Sequence, residues 1–587
     1  MNKAHHIFAD SHSQFEAKSP NGKVVLRLQV EDRLLWSVEY AGQSLILPSP
    51  VSLQLENGEV LGEHVNVKSC ETTGVDTQFQ AINYRKAIVK DQYTHLLVQF
   101  ENDFGIEFHV YDDAVAYRFT TQKPGQLVVK NEEANFNFTA DHPAFIPYMW
   151  DYRDGQIFNS SFEAQYAEHN ISQFKPGSLA FLPLLIDAGN GKKVVILEAD
   201  LEDYPGMYLD LNQTGLGFKA VFAPYPLETR RGGYANMNVI PTRRAEYIAR
   251  TEGTRTFPWR AIAVSEADKE LLNNDIVQKL ASPPRLEDVS WIIPGQVAWD
   301  WWNDYNLTGV DFKAGMNTPT FKYFIDFATA NKAKYIILDA GWSELFDLNK
   351  VNPDVDLEEI LAYANRKNIG VVLWACWYAI TQQMKEIFPR YAKMGVKGWK
   401  IDFIDRDDQI AVASTYEIAK LAAEYKMMVD YHGVFKPTGL QRTYPNVVGY
   451  EGVYGLENFK WADYDAPRYD VTVPYTRNMA GPMDYTPGAM TNATQANFKA
   501  RNHAPMSKGT RCHQLAEYIV FDVPFQMLAD SPSAYMGEQE CTDFITSVPT
   551  VFVETVPLDG KVGEYVSIAR EKDGVWYVGA LTNWDAR

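Results

Sequence analysis

Through the first 282 residues, apolar and polar positions alternate in short runs broken by glycine, asparagine, aspartate and proline. The runs at 24–30 (VVLRLQV), 34–40 (LLWSVEY) and 114–119 (AVAYRF) have the period of two that half-buried strands require. Their density predicts a large antiparallel β super-sandwich over residues 1–282. At Ala281-Ser282-Pro283-Pro284-Arg285 both composition and period change, as in a linker. Beyond it, apolar strands are predicted at 296–301, 335–339, 371–375, 398–403, 427–432, 447–451, 525–530 and 550–556, separated by helical stripes. Leu357, Ile360, Leu361 and Ala364 mark one such stripe behind an Asp356 cap with Glu359 in the first turn, and Gly395 reads as a left-handed stop for the next helix. Eight strands alternating with helices predict a (β/α)8 barrel over 283–557. The stretch from 451 to 512, rich in tyrosine, proline, glycine, asparagine and methionine, is expected to roof the barrel. Alternation returns at 562–568 and 575–581, which reads as the start of a C-terminal antiparallel β domain over 558–587, expected to be truncated.

Composition narrows the function. A chain of 587 residues that is 46% hydrophobic and 22% charged buries a large core. Its formal charge of −20 disfavours a nucleic-acid surface, which needs clustered lysine and arginine. The 13% aromatic content suits sugar binding, where rings stack on C–H faces. Cys70, Cys376, Cys512 and Cys541 form no C-x-x-C pair, so a zinc ribbon, a redox dithiol and a disulfide framework lose support. The longest apolar stretch, near 371–380, is about half a membrane span. The start, MNKAHHIFADSHSQF, lacks the apolar core of a signal peptide.

Barrel chemistry resides where strands run into the following loops. Asp300 with Trp301 and Trp302, Asp339 before Trp342, Trp374, Trp377, Lys400, Asp402, His432, Glu451, Asp530 and Glu554 fall at predicted strand ends, a ring suited to a neutral polyhydroxylated ligand. In Gly398-Trp399-Lys400-Ile401-Asp402-Phe403, alternation directs Lys400 and Asp402 to the same side. A charge pair would then keep Asp402 ionised, as a nucleophile needs, although a structural ion pair has the same pattern. Glu451 and Glu457, six apart around a glycine-rich turn, can both aim inward or can be solvated loop residues. P-loop, G-x-G-x-x-G, H-E-x-x-H and G-x-S-x-G motifs are absent. With carboxylates dominant and His5-His6 the sole close histidine pair, a bound metal is expected to be hard and oxygen-loving, hence Ca²⁺.

The sandwich, the run Val297-Ala298-Trp299-Asp300-Trp301-Trp302, the Lys400-Ile401-Asp402-Phe403 strand and the segment Tyr431-His432-Gly433-Val434-Phe435-Lys436-Pro437-Thr438-Gly439 together resemble glycoside hydrolase family 97 over nearly the whole chain. In the inverting α-glucosidases of that family a glutamate base stands where this chain has Gly433; the retaining branch carries an aspartate nucleophile, which maps onto Asp402. The resemblance further implies Glu457 as acid/base and Ca²⁺ ligands at Glu451, Glu457 and a sandwich glutamate, Glu198 by choice with Glu163 second. Asp300, Asp339, Trp374, Lys400 and His432 are then expected to bind the sugar. The implied protein is an exo-acting retaining α-galactosidase acting on α-galactoside oligosaccharides or glycosides, periplasmic or secreted, without nucleic-acid or membrane partners. An inverting α-glucosidase and a catalytically silent carbohydrate-binding protein are the alternatives.

Overall fold

The computed structural model describes residues 13–585, so the first twelve residues of the amino-terminal run, His5-His6 among them, lie outside it. Seventeen strands form the sandwich. Val24–Val30 and Leu34–Tyr40 pair antiparallel, and each buries every second residue, as their alternation predicts. The strand Lys192–Ala199 differs: its residues from Lys193 onward are all buried. Val194 and Ile196 belong to the sandwich's own core, while Val195 and Leu197 join the core that continues into the barrel. An uninterrupted apolar run is therefore what a sheet needs where a second domain packs on its outer face.

The barrel has seven parallel strands: Gly295–Ala298, Tyr335–Leu338, Gly370–Cys376, Gly398–Asp402, Met428–Tyr431, Val447–Tyr450 and Phe525–Leu528. They pair in the order sixth, fifth, fourth, third, second, first, seventh. The stripe predicted behind Asp356 forms the helix Leu357–Arg366, capped by Asp356, which accepts from Glu359 N at 3.0 Å. Gly395 ends the helix Trp377–Met394 at φ +99°.

The eighth strand, expected at 550–556, is not part of the barrel. Glu554–Lys561 instead opens an antiparallel sheet with Tyr565–Lys572 and Val575–Thr582, so the third domain begins four residues before the expected boundary. Closure between the sixth and seventh strands falls to the irregular run 483–487. Asp484 N donates to Tyr450 O, Met483 N to Asp522 O, and Ala529 N to Pro487 O. Buried Arg477 secures this seam by donating to the carbonyls of Tyr450, Glu451, Gly452, Gly481 and Pro482 at 2.5–3.2 Å. Gly481-Pro482 before it and Pro487-Gly488 at its end disguise the run as loop, and it pairs through isolated bonds and not through a ladder.

Arg477→Met would leave these carbonyls buried without their donor. The expected loss is about 3 kcal/mol, from the price of stranding a buried hydrogen-bonding partner, and is read as a lowered denaturation midpoint of the barrel's tryptophan fluorescence.

Candidate active site

The fourth strand lies between the third and fifth, with Cys376 opposite Asp402 and Lys400 opposite both Trp374 and Asp430. Its alternation brings Lys400 and Asp402 to one side, but they do not pair. Lys400 Nζ donates to Asp339 Oδ2 at 3.0 Å and stands 4.2 Å over the Trp299 ring. Asp402 is half-buried; its Oδ2 accepts from Trp374 Nε1 at 3.1 Å and its Oδ1 from Phe403 N at 2.7 Å. The expected lowering of the Asp402 pKa through a Lys400 pair is therefore corrected. Burial raises it, Glu451 adds to the rise, and His432, Lys400 and the Trp374 N–H oppose it.

Asp339 is 3% exposed and also accepts from Trp299 Nε1 and Ala340 N, both at 2.7 Å. Asp300, expected at the sugar, is fully buried one layer behind Asp339, whose N–H it accepts at 3.3 Å. Burial and the Asp339 charge push Asp300 up to about 7. A direct sugar contact is thus not what its position offers. Trp299 and Trp302 are also fully buried. Trp302 Nε1 donates to Leu456 O at 3.2 Å, while Lys460 Nζ donates to Trp301 O and Trp302 O and lies 4.2 Å over the Trp301 ring. The tryptophan run after the first strand thereby holds the 3-10 turn Leu456–Lys460, which carries Glu457.

Glu457 is half-buried, and its Oε1 has no hydrogen-bond partner. Burial above all, with Glu451 and Asp402, pushes it up to about 8 against the opposing charges of Lys400 and His432. At the end of the sixth strand, Glu451 Oε2 accepts from Gly433 N at 2.7 Å. His432 Nδ1 lies 3.5 Å from Glu451 Oε1 and 3.9 Å from Glu457 Oε1. Its Nε2 is 2.7 Å from Asp484 Oδ2 and 3.6 Å from Asp430 Oδ2, so acids surround the ring. A pKa well above the ordinary histidine range results; burial opposes it, and Glu451, Asp430 and Asp484 drive it.

The sandwich glutamate at this cluster is Glu163, not Glu198. Glu163 is raised well above the carboxylate range by burial and then by Glu451 and Glu457. Glu198 has both oxygens engaged: Met207 N donates to each at 3.0 Å, Arg260 Nη1 pairs with one and Lys436 Nζ with the other. Two cations already neutralise it, which removes the reason to bind a third. Glu451 and Glu457, whose oxygens cluster with His432, supply hard carboxylate oxygens, one of them a buried orphan, and Glu163 feels the charge of both; carboxylates of this kind fit the ligand preferences of Ca²⁺.

The loop after Asp402 is held from the sandwich. Arg153 Nε donates to Asp405 Oδ2 at 2.9 Å, Asn238 Nδ2 donates to the same oxygen, and Asp405 N donates to Gly433 O at 2.6 Å. Phe403 and Asp405 take φ +65° and +49°. Exposed Tyr234, also from the sandwich, stacks on Phe403 with the planes 11° apart. Asp430 was legible from the fifth strand's alternation with His432, but Asp484 and Asp405 come from loops without a periodic signal.

Gly433 has φ +47°, and a Cβ there would lie 2.8 Å from Asp402 Oδ1 and 2.7 Å from Phe403 N. Gly433→Ala must displace the carboxylate or the loop. We expect kcat to fall about 100-fold, the scale of an ångström misplacement, with the thermal midpoint changing little by comparison. Unchanged steady-state kinetics would show that this packing does not position Asp402.

Sequence profiles described as glycosyl-hydrolase 97 N-terminal, glycoside hydrolase 97, and glycosyl-hydrolase 97 C-terminal, oligomerisation, match residues 17–283, 301–453 and 551–587. A retaining alpha-galactosidase of Bacteroides thetaiotaomicron is 44% identical over 582 residues, covering 98% of this chain and 88% of the relative. A probable retaining alpha-galactosidase of Streptomyces bingchenggensis is 26% identical over 574 residues, covering 94% and 81%. A solved glycoside hydrolase family 97 enzyme of Pseudoalteromonas sp. strain K8, in complex with acarbose, shares the fold with a TM-score of 0.85 at 24% identity, covering 98% of this chain and 90% of that one. Sandwich, barrel and terminal sheet match in order along one chain, and the chain belongs to glycoside hydrolase family 97.

Proposed function

We propose that this glycoside hydrolase is an exo-acting, retaining α-galactosidase with Asp402 as nucleophile and Glu457 as acid/base. The observation that carries the reading is the packing of Gly433 against Asp402. The position of the inverting branch's glutamate base has no room for a side chain while the Asp402 carboxylate stands 2.8 Å from where its Cβ would be. The preference for galactose is supported by the 44% identical relative, whose name is retaining alpha-galactosidase.

In the first step an Asp402 oxygen attacks the anomeric carbon as the bond to the leaving oxygen breaks, and protonated Glu457 delivers its proton to that oxygen. Trp374 Nε1 and Phe403 N hold the attacking carboxylate. In the second step Glu457, now ionised, takes a proton from water, which attacks the same carbon, releases Asp402 and restores the α configuration. The Lys400–Asp339 pair beside Trp299 offers polar groups to the sugar's hydroxyls. Glu163, Glu451 and one Glu457 oxygen would hold Ca²⁺; His432, charged and ringed by Asp484 and Asp430, would stay outside the coordination shell. When bound, the ion would supply fixed positive charge that orients Glu457 and counters the burial that raises its pKa. A carboxylate site of this kind suits the calcium levels outside the cytoplasm, which favours a periplasmic or secreted protein. Among the described residues no helix is long and apolar enough to cross a membrane.

Proton NMR of p-nitrophenyl α-galactoside hydrolysis should show α-galactose as the first product; an initially β product overturns retention. Asp402→Gly should lose at least about 1,000-fold in kcat, with azide restoring part of it as β-galactosyl azide. An active variant without azide would place the nucleophile elsewhere. On the pH profile, Glu457 is a competent acid below its pKa, so kcat/KM falls as pH rises through it. With Ca²⁺ present this limb should lie below about 8, and chelation should move it upward while lowering kcat. A limb indifferent to chelation would separate Glu457 from the ion.

A further inference from the structure

Away from the Asp402 centre, the helix Arg511–Val520 places His513 and Glu517 one turn apart, and Asp470, the last residue of the helix Ala466–Asp470, meets both. Asp470 is 1% exposed and Glu517 fully buried, with neither Glu517 oxygen hydrogen-bonded. Among the described residues, no lysine or arginine forms an ion pair with either carboxylate; His513 is the ion-pair partner of both.

The spacing is informative. His513 Nε2 lies 3.1 Å from Asp470 Oδ2 and 3.4 Å from Glu517 Oε1. His513 Nε2 hydrogen-bonds Asp470 Oδ2, but one ring N–H cannot serve both oxygens well, and Glu517 is left without a hydrogen bond. Ligand atoms held about 2.0–2.1 Å from one tetrahedral ion are about 3.3 Å apart, which the two distances bracket. Tyr485 OH donates to the remaining oxygen, Asp470 Oδ1, at 2.6 Å, as an outer partner that orients a ligating carboxylate does.

We propose that Asp470, His513 and Glu517 form a structural zinc site, with water completing the tetrahedron. One imidazole with two carboxylates matches zinc's ligand preferences, whereas Ca²⁺ asks for six or more oxygens. The ion would join the two helices and, through Tyr485, reach the acid: Leu456 N donates to Tyr485 O, and Leu456 immediately precedes Glu457. The site therefore ties together three parts of the roof and steadies the turn that presents Glu457.

The test uses the full chain, stripped with a chelator, resupplied with Ca²⁺ and titrated with ZnCl₂. Metal analysis after dialysis should give one zinc per chain, with a raised thermal midpoint. Glu517→Gln, nearly isosteric, and His513→Ala should each weaken zinc binding at least about 100-fold, while Glu451→Gln, at the active centre, keeps the zinc. Folding of each variant is checked by circular dichroism. Wild-type protein that retains no zinc, as a proton shared between Glu517 and Asp470 would require, overturns the proposal. So does zinc retained equally by both variants, or lost with Glu451→Gln.

Discussion

A ladder of buried charges runs from the sandwich into the barrel, and the site is arranged around it. Arg260 pairs with Glu132 through Nε and Nη2 at 2.7 Å and with Glu198 through Nη1; Glu198 pairs with Lys436 beyond the fifth strand; Lys436 lies 3.8 Å from Asp407, which also accepts from Tyr208 OH. Such a ladder adds little net stability, because desolvation offsets most of the attraction, yet breaking one rung leaves an uncompensated charge at a cost of about 3–5 kcal/mol. Its value is in registration. With each inner charge held between two opposite ones, the two domains dock in one arrangement, and only then do Glu163, Arg153 and Asn238 reach the barrel's mouth.

What these residues hold is a strained piece of chain. Non-glycine residues in the left-handed region cost about 1–3 kcal/mol each, and Phe403 and Asp405 both occupy it directly after the nucleophile. Asp405 is paid back by Arg153, Asn238 and the Gly433 carbonyl. The geometry of Asp402 is thus set partly by a domain that contributes no nucleophile, and a barrel excised from its sandwich would lose both the strain and the donors that sustain it.

How far the sequence was readable follows from the range of the interactions. Short-range rules placed the strand of Lys400 and Asp402, the Asp356 cap and the Gly395 stop, since each depends on neighbours a few residues away. They could not say which partner Lys400 would choose, because Asp339 lies 61 residues earlier and is brought close only by barrel closure. The run Asp405-Arg406-Asp407-Asp408 reads as solvated loop, yet all four are 1% exposed or less: Arg153 and Arg244 reach Asp405 and Asp408 from the sandwich, Lys436 faces Asp407, and Arg406 pairs with Asp408. Glu198 misled for the same reason: a strand-end glutamate looks free until Arg260 and Lys436 are seen. The residues 550–556 carry a short apolar, β-branched run as a barrel strand would, but the pattern cannot distinguish one sheet from another.

The seam between the sixth and seventh strands bears on how this protein can change. One excursion, 451–524, both closes the barrel and carries Glu457, and Arg477 grips its start beside Glu451. Loops on a complete eight-stranded barrel can be lengthened or exchanged without disturbing the cylinder beneath them. Here a graft that widened the mouth for bulkier leaving groups would also loosen the wall. New specificity is more accessible at the tip of the sandwich hairpin, where Tyr234 stands exposed over Phe403, so long as Asn238 on the same hairpin keeps its bond to Asp405.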